Sequence, residues 1–410
     1  MKILFVAHFF PPEIGAGSIR AGYFFKLIRE CGLDIKVITP IPNYPDGKKY
    51  EGYKTFFKRD KDLNVIYLPY LFTKSKSVLL RGLSYVTYFL TAILYSIFDN
   101  YRADIVMCST PPITTALASM IITKVKRAKM VIDIRDIWPD IGIELGLLKN
   151  SQVINLLRKI EKLLLVNSIK IIVTAIGDKE NLIKKNTNPS KIEVIYNGAD
   201  TDIFRPVPDD EIKIKRGLYN LPINKKLLVY FGSFNYGMND IQTLLESLSN
   251  LHVFSDSIHF VAIGGGKLLD YLIDGLTDKI NYSIFNNIEP SQTASIVSIC
   301  DVSLVPRKFI EKDTGGNIPV KCFESWAAGV PVVLSSTNES EITKILKECG
   351  GGVIVEPGNA QSFRDGIIEL LNDPEIKSRG KRASAFVRKN FDRKIESRKL
   401  IGILNNCQIR

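Results

Sequence analysis

Short apolar runs alternate with amphipathic intervals along almost the whole chain, and nothing else constrains the fold as much. KILFVAHFF, DIKVITP, LNVIYLPYL, DIVMCST, MVIDIRDIW, KIIVTAI and IEVIYNG follow one another in the first half. LLVYFGSF, IHFVAIGGG, NYSIFNNI, DVSLVPRK, VPVVLSS and GGVIVEPGN do so in the second. Runs of this length, bounded by turn residues and separated by helical intervals, read as buried strands. Strands that alternate with helices build parallel sheets, because each crossover must span the sheet. FRPVPDD, with two prolines, interrupts the series. The expectation is an α/β chain of two Rossmann-like parallel-sheet domains, 1–205 and 206–385, facing a central cleft. A basic helical segment, 386–410, is expected to pack back toward the first domain.

In open parallel sheets ligands sit beyond the carboxyl ends of the strands. In the first half that rule points at His8, Asn43, Tyr44, Ser109, Asp133, Arg135, Asp136 and Trp138. Gly15 and Gly17 follow the first strand, open an amphipathic helix and are donor-binding candidates, but not at the G-x-G-x-x-G spacing of a nicotinamide site. In the second half Gly232, Gly264, Gly266, Lys267 and Arg307 lie in loops that follow strands. The stretch GGNIPVKCFESWAAGVPVV carries Gly316 and Asn317, then Pro319 at a helix start, then Lys321 and Glu324 on one helical face. A glycine-rich approach, free backbone N–H groups and a lysine make an anion site. A carboxylate one turn further in can accept from sugar hydroxyls. An ordinary helix–strand unit with a solvated Lys and Glu has the same letters. The convergence of several such loops on one sheet edge is what favours a nucleotide diphosphate.

The formal charge of +12 admits nucleic acid, an anionic membrane surface or phosphorylated substrates as partners. No nucleic-acid recognition module accompanies it, so nucleic acid is set aside. The six cysteines form no C-x-x-C pair and suggest neither zinc nor a disulfide framework. The first residues read as a strand rather than a signal peptide. Residues 48–61 interleave Lys and Arg with Tyr and Phe. The run Gly82–Phe98 carries no charge, is short for a spanning helix and is rich in hydroxyls. Leu79, Leu83, Val86, Leu90, Ile93 and Ile97 recur at helical spacing. Either that stripe faces the core or the helix lies in a membrane interface. Asp200-Thr201-Asp202 and Asp60-Lys61-Asp62 have D-x-D spacing, but turn duty accounts for such triplets, and no metal is expected.

Five stretches in order then carry a resemblance: HFFPPEIGAGSIR, PNYPDGKKYEGY, IRDIWPD, VIYNGADTDIFRP and IPVKCFESWAAGVPVV. They resemble the GT-B-fold, family 4 retaining glycosyltransferases, and more narrowly the bacterial O-antigen and capsule transferases of the fucosamine-transferase or colanic-acid type. The resemblance implies a hexosyltransferase that needs no metal or cofactor. Its donor would be a nucleotide sugar, UDP-linked, and its acceptor a lipid-linked saccharide, with an N-acetylated amino sugar as the group moved. It implies donor contacts from Lys321 and Glu324, the latter to the ribose. The family's first donor-site glutamate would fall at position 316, which is Gly316 here. Backbone N–H groups of Gly316 and Asn317 would stand in its place. The histidine that many relatives carry in the cleft has no counterpart near IRDIWPD, where Asp136 is the candidate beside the acceptor hydroxyl. His8, Asn43 and Tyr44 are the acceptor candidates, and Lys321 with Asp136 the catalytic ones. The resemblance places the protein in the cytoplasm, peripheral on the inner face of the plasma membrane. A nucleotide-sugar epimerase of the same fold, or a non-catalytic binder of nucleotide sugar or membrane, are the alternatives.

Overall fold

The computed structural model describes residues 1–43, 58–60, 63–71, 78–235, 237–286, 288–308 and 318–407. The chain divides into two compact units, Met1–Tyr196 with Glu396–Arg410, and Asn197–Ile395. The chain leaves the first unit ahead of the expected boundary at 205. The reason is local. Ala199 bridges to Asp392, and the Arg393 N–H donates to the Ala199 carbonyl at 2.8 Å, so the stretch after Asn197 is zipped onto residues of the second unit.

The first unit holds strands β1 (Lys2–Ala7), β2 (Asp34–Pro40), β3 (Lys58–Asp60), β4 (Val65–Leu68), β5 (Ile105–Thr110), β6 (Lys129–Ile134), β7 (Ser168–Val173) and β8 (Ile192–Val194). Their order is β3-β4-β2-β1-β5-β6-β7-β8. All neighbours run parallel except β3, which pairs antiparallel with β4. The sequence reading misses β3 because KRD has no apolar residue; a short charged strand at a sheet edge is a common guard against further pairing. The central strands β1 and β5 are buried on both faces, which is why they read as continuous apolar runs. Leu400, Ile403, Leu404 and Cys407, from the helix Arg393–Asn406 and the residue after it, join Ile3, Phe5 and Met107 in one core cluster.

The second unit holds β9 (Lys226–Phe231), β10 (Ile258–Ile263), β11 (Tyr282–Phe285), β12 (Val302–Val305), β13 (Val332–Ser335) and β14 (Gly352–Val355), in the order β11-β10-β9-β12-β13-β14, all parallel. Leu228, Tyr230, Phe260, Leu304 and Val333 from its strands meet Leu244, Leu272 and Phe363 from its helices in a single core.

One helix turns its apolar stripe away from the core, against the core-facing one of the two expectations for it. Val78–Phe98 buries Ser84, Tyr88, Ala92 and Ser96, four residues at a repeat of four, against the first unit's sheet. The Tyr88 hydroxyl lies within hydrogen-bond reach of the Ile38 and Ala7 carbonyls, at 2.9 and 3.2 Å, and Ser96 donates to Ala92 at 2.8 Å. Leu83, Val86, Leu90, Leu94 and Ile97 form an outward stripe; Leu94 is 55% and Phe98 82% exposed. Among the described residues no helix is long and apolar enough to cross a membrane.

Candidate active site

The second unit brings Gly232, Gly264, Arg307 and Lys321, of its predicted donor residues, to one edge. The loops after β9 and β10 lie backbone to backbone. Gly264, at φ +122°, sits where a Cβ would fall 2.1 Å from the Gly232 carbonyl oxygen. Gly266, at φ +153°, would put a Cβ 2.5 Å from the Phe234 carbonyl oxygen. Only glycine meets both the backbone angle and the space at these positions. Phe234 N–H donates to Gly265 and Leu268 N–H to Phe234, which fixes one loop on the other. Lys267 is exposed at the rim, and its backbone N–H donates to Asn235 Oδ1 at 3.0 Å.

Lys321 belongs to the helix Val320–Ala327, which follows Pro319 at the cap position. Its Nζ lies 4.1 Å from the centre of the Tyr230 ring and donates to Asn239 Oδ1 at 3.2 Å. A Cβ on Gly232 would stand 3.5 Å from that Nζ, an ordinary contact, so the φ of +123° rather than room for the lysine is what calls for glycine there. Burial lowers the Lys321 pKa to about 8, with the Arg307 guanidinium pushing the same way and Glu324 opposing. Arg307 is itself buried just past β12 and bridges to Asn239 across an antiparallel contact. Asn239 also donates to the Ser233 carbonyl at 3.1 Å, so one amide ties the loop after β9 to the lysine. Among the described residues no carboxylate pairs with this half-buried ammonium, which is poised for an incoming anion.

Glu324 sits one turn further along the helix, half-buried. Burial pushes its carboxyl pKa up, and Arg393 is the largest influence holding it down. The two form an ion pair of 3.2 Å between Arg393 Nη2 and Glu324 Oε1. The sequence reading did not pick out Tyr230, Asn239 or Arg393. Tyr230 is hidden in a strand, Asn239 in a loop without pattern, and Arg393 lies far along the chain from Glu324. Gly316 and Asn317 lie outside the described residues, as does Tyr44.

The first unit gathers a different set at the carboxyl end of its sheet. His8 follows β1 and is ringed by Phe9, Tyr70, Tyr85 and Tyr88, with ring centres 4.9 to 6.0 Å away. Burial, aided by Arg135, lowers its pKa to about 3, so the imidazole is neutral at physiological pH. The Asn43 N–H donates to Glu13 Oε1 at 2.6 Å. Asp133 is bound into a buried pair with Arg20 at 2.8 Å, which is a structural duty. Gly15 caps the helix Ala16–Glu30. Gly17 packs against Arg135 so closely that a Cβ would overlap the guanidinium. Asp136 lines a small pocket with Thr110, Ile137, Trp138 and Glu161. Burial raises its pKa while Arg135 opposes. Asp200 and Asp202 take turn and ion-pair roles: Asp200 Oδ1 accepts from the Asp202 N–H at 3.1 Å, and Asp202 pairs with Lys394. Asp60 accepts from the Leu63 N–H at 2.9 Å.

Residues 225–373, most of the second unit, match the family described as Glycosyl transferases group 1. Along 92% of this chain and 93% of its own length, the "Putative colanic acid biosynthesis glycosyl transferase WcaI" of Escherichia coli (strain K12) is 22% identical. The "Probable glycosyltransferase WbjE" of Pseudomonas aeruginosa is 24% identical over 78% of this chain and 79% of its own. Among solved structures, Anabaena HepE, crystallised in complex with UDP and glucose, superposes with a TM-score of 0.72 at 16% identity. That likeness covers 99% of this chain and 100% of HepE, and it identifies the GT-B fold.

Proposed function

We propose that this chain, whose residues 225–373 match the family of group 1 glycosyl transferases, moves a hexose from a UDP-linked donor to a saccharide acceptor in surface polysaccharide assembly. The sugar is an N-acetylated amino sugar, its anomeric configuration is retained, and the acceptor is lipid-linked. The observation that carries the reading is the Lys321 ammonium, held over Tyr230 beside close-packed glycine loops. The leaving diphosphate gains charge as the glycosidic bond breaks, and a fixed, half-buried cation stabilises it most at that moment. The relative named for colanic acid biosynthesis and the UDP in HepE support the substrate classes. Asp136 is the candidate beside the acceptor hydroxyl, with His8, Asn43 and Tyr44 as acceptor contacts.

Lys321→Ala is expected to cost about 2–4 kcal/mol of transition-state stabilisation. Turnover of a screened nucleotide sugar measures it, and wild-type turnover would sink the assignment. EDTA is expected to leave turnover intact; loss restored by manganese would overturn metal independence. The pH dependence has a definite sign. Lys321 must be charged to hold the diphosphate, and its pKa is about 8 in the empty protein. UDP affinity should therefore fall as pH rises through that value, and Lys321→Met should lack that slope. Incubation with donor alone separates the epimerase alternative, which would convert the free nucleotide sugar.

A specific observation favours a place on the membrane surface. The outward stripe of Val78–Phe98 neighbours the helix Ile113–Lys126, which neighbours Ser151–Asn167. The last of these also exposes Val153, Leu156, Leu163 and Val166, beside exposed Arg158, Lys159 and Lys162. Exposed apolar side chains with cations among them suit the interface of an anionic bilayer. Of the basic residues 48–61, only Lys58 and Arg59 fall among the described ones. The membrane meant is the inner face of the plasma membrane. Wild-type protein should co-sediment with anionic vesicles more than with neutral ones; failure at low salt would remove the membrane from the proposal.

A further inference from the structure

Arg393 opens the helix Arg393–Asn406 and is 7% exposed. Its guanidinium reaches three acceptors at once. Nε donates to the Asn197 carbonyl at 3.0 Å, and Nη2 donates to the Gly198 carbonyl at 3.1 Å and to Glu324 Oε1 at 3.2 Å. The backbone around it is clamped. The Ala199 N–H donates to Phe391 at 3.0 Å, and the Arg393 N–H donates to Ala199 at 2.8 Å. The Thr201 hydroxyl bonds the Asp392 carboxylate. Gly198, at φ +53°, lies so near that a Cβ would meet the Phe391 carbonyl oxygen at 2.3 Å. A neutralising charge alone needs none of this. A planar fork set by two backbone carbonyls fixes the direction from which the carboxylate is gripped, which a lysine cannot do.

We propose that Arg393 is a positioning residue for the donor: it grips Glu324 by Oε1 so that Oε2 is presented, ionised, to the ribose hydroxyls of the nucleotide. The proposal rests on the donor reading given above. Among the described residues, Oε2 has no hydrogen-bond partner of its own. The charged groups facing the carboxylate are Arg393, Lys321 one turn earlier on the same helix, and Asp200 from the stretch after Gly198. Burial favours the neutral acid and Arg393 is the largest opposing influence. Without the guanidinium the carboxyl turns toward its protonated form, which has less capacity to accept from a diol.

The probe is UDP, titrated calorimetrically into the full chain from about pH 5 to about pH 8, that is, at and above the ordinary carboxylate range. E324Q comes first, because it tests the donor reading alone. Weaker UDP binding supports that reading; unchanged binding overturns it together with the proposal that depends on it. R393Q is then expected to bind UDP roughly tenfold more weakly, with the loss growing as pH falls. In the E324Q background the same change should add no pH dependence. R393K should recover the pH profile but only part of the affinity. If E324Q weakens UDP binding while R393Q keeps the wild-type affinity and profile, Arg393 is merely structural and the proposal fails. Should R393Q not fold, as judged by circular dichroism, R393K decides: reduced affinity supports the role, and wild-type affinity overturns it.

Discussion

Two helices, Val78–Phe98 in the first unit and Val320–Ala327 in the second, are both amphipathic, yet they use the property in opposite senses. The shorter one buries its apolar side. Cys322, Phe323 and Trp326 enter the core, and Lys321 and Glu324 remain on the polar side, where the candidate donor site forms. The longer one turns Ser84, Tyr88, Ala92 and Ser96 inward and carries Leu83, Leu90 and Leu94 outside. Hydrophobic periodicity identifies which residues share a face. It does not say which face meets the protein. On the longer helix, small and hydroxyl-bearing side chains allow close approach to the sheet, and their polar atoms are satisfied there, so the burial costs little. The apolar face is then left for another partner.

The comparison breaks if the buried faces do not carry the stability they are assigned. The largest effect is expected at Trp326, which is fully buried with Nε1 donating to Gly351 at 2.8 Å and its ring 6.0 Å from Phe323. Trp326→Ala should destabilise the chain by about 3–5 kcal/mol in urea unfolding. A loss under about 1 kcal/mol would mean that the site collapses far more readily than close packing allows. Tyr88→Phe is the counterpart on the longer helix. It keeps the ring and removes one hydroxyl shared by two strand carbonyls, so about 1–2 kcal/mol is expected. No change there would show that the polar inward face is incidental.

Most of the strands along the chain are legible in the sequence, though not their order in the sheets, because parallel strands buried on both faces announce themselves as apolar runs. The two sheets and the edge residues Gly232, Gly264 and Lys321 followed from that. What stayed hidden has a common cause. β3 is three charged residues whose pairing depends on a neighbour. Tyr230 acts at the site through the face of its ring while looking like any strand residue. Arg393 reaches Glu324 from a distant part of the chain, and a single sequence carries no trace of such a pair. Asp133 sits at a strand end as a ligand residue would, yet it holds Arg20. The outward face of Val78–Phe98 was unreadable for the same reason, since tertiary contacts decide it.

The smallest stability change with the clearest functional one is expected on that outward face. Leu83, Leu90 and Leu94 are each about half exposed, whereas Ile93 is half-buried and packs against the core. None of the three leucines belongs to the buried core, so replacing each with serine should move unfolding stability by within about 1 kcal/mol. Binding to anionic vesicles should respond differently. A side chain that leaves water on docking contributes about 25 cal/mol per Å² of apolar area, so each leucine lost should weaken vesicle affinity on the order of tenfold. Salt separates the two components. The attraction of Arg158, Lys159 and Lys162 to an anionic surface is screened at high ionic strength, while apolar insertion is not. The triple variant should therefore retain a salt-sensitive remnant of binding and lose the part that persists in high salt. If the folded triple variant sediments with vesicles as well as the wild type at high salt, the stripe does not enter the bilayer, and the outward face of this helix serves some other partner.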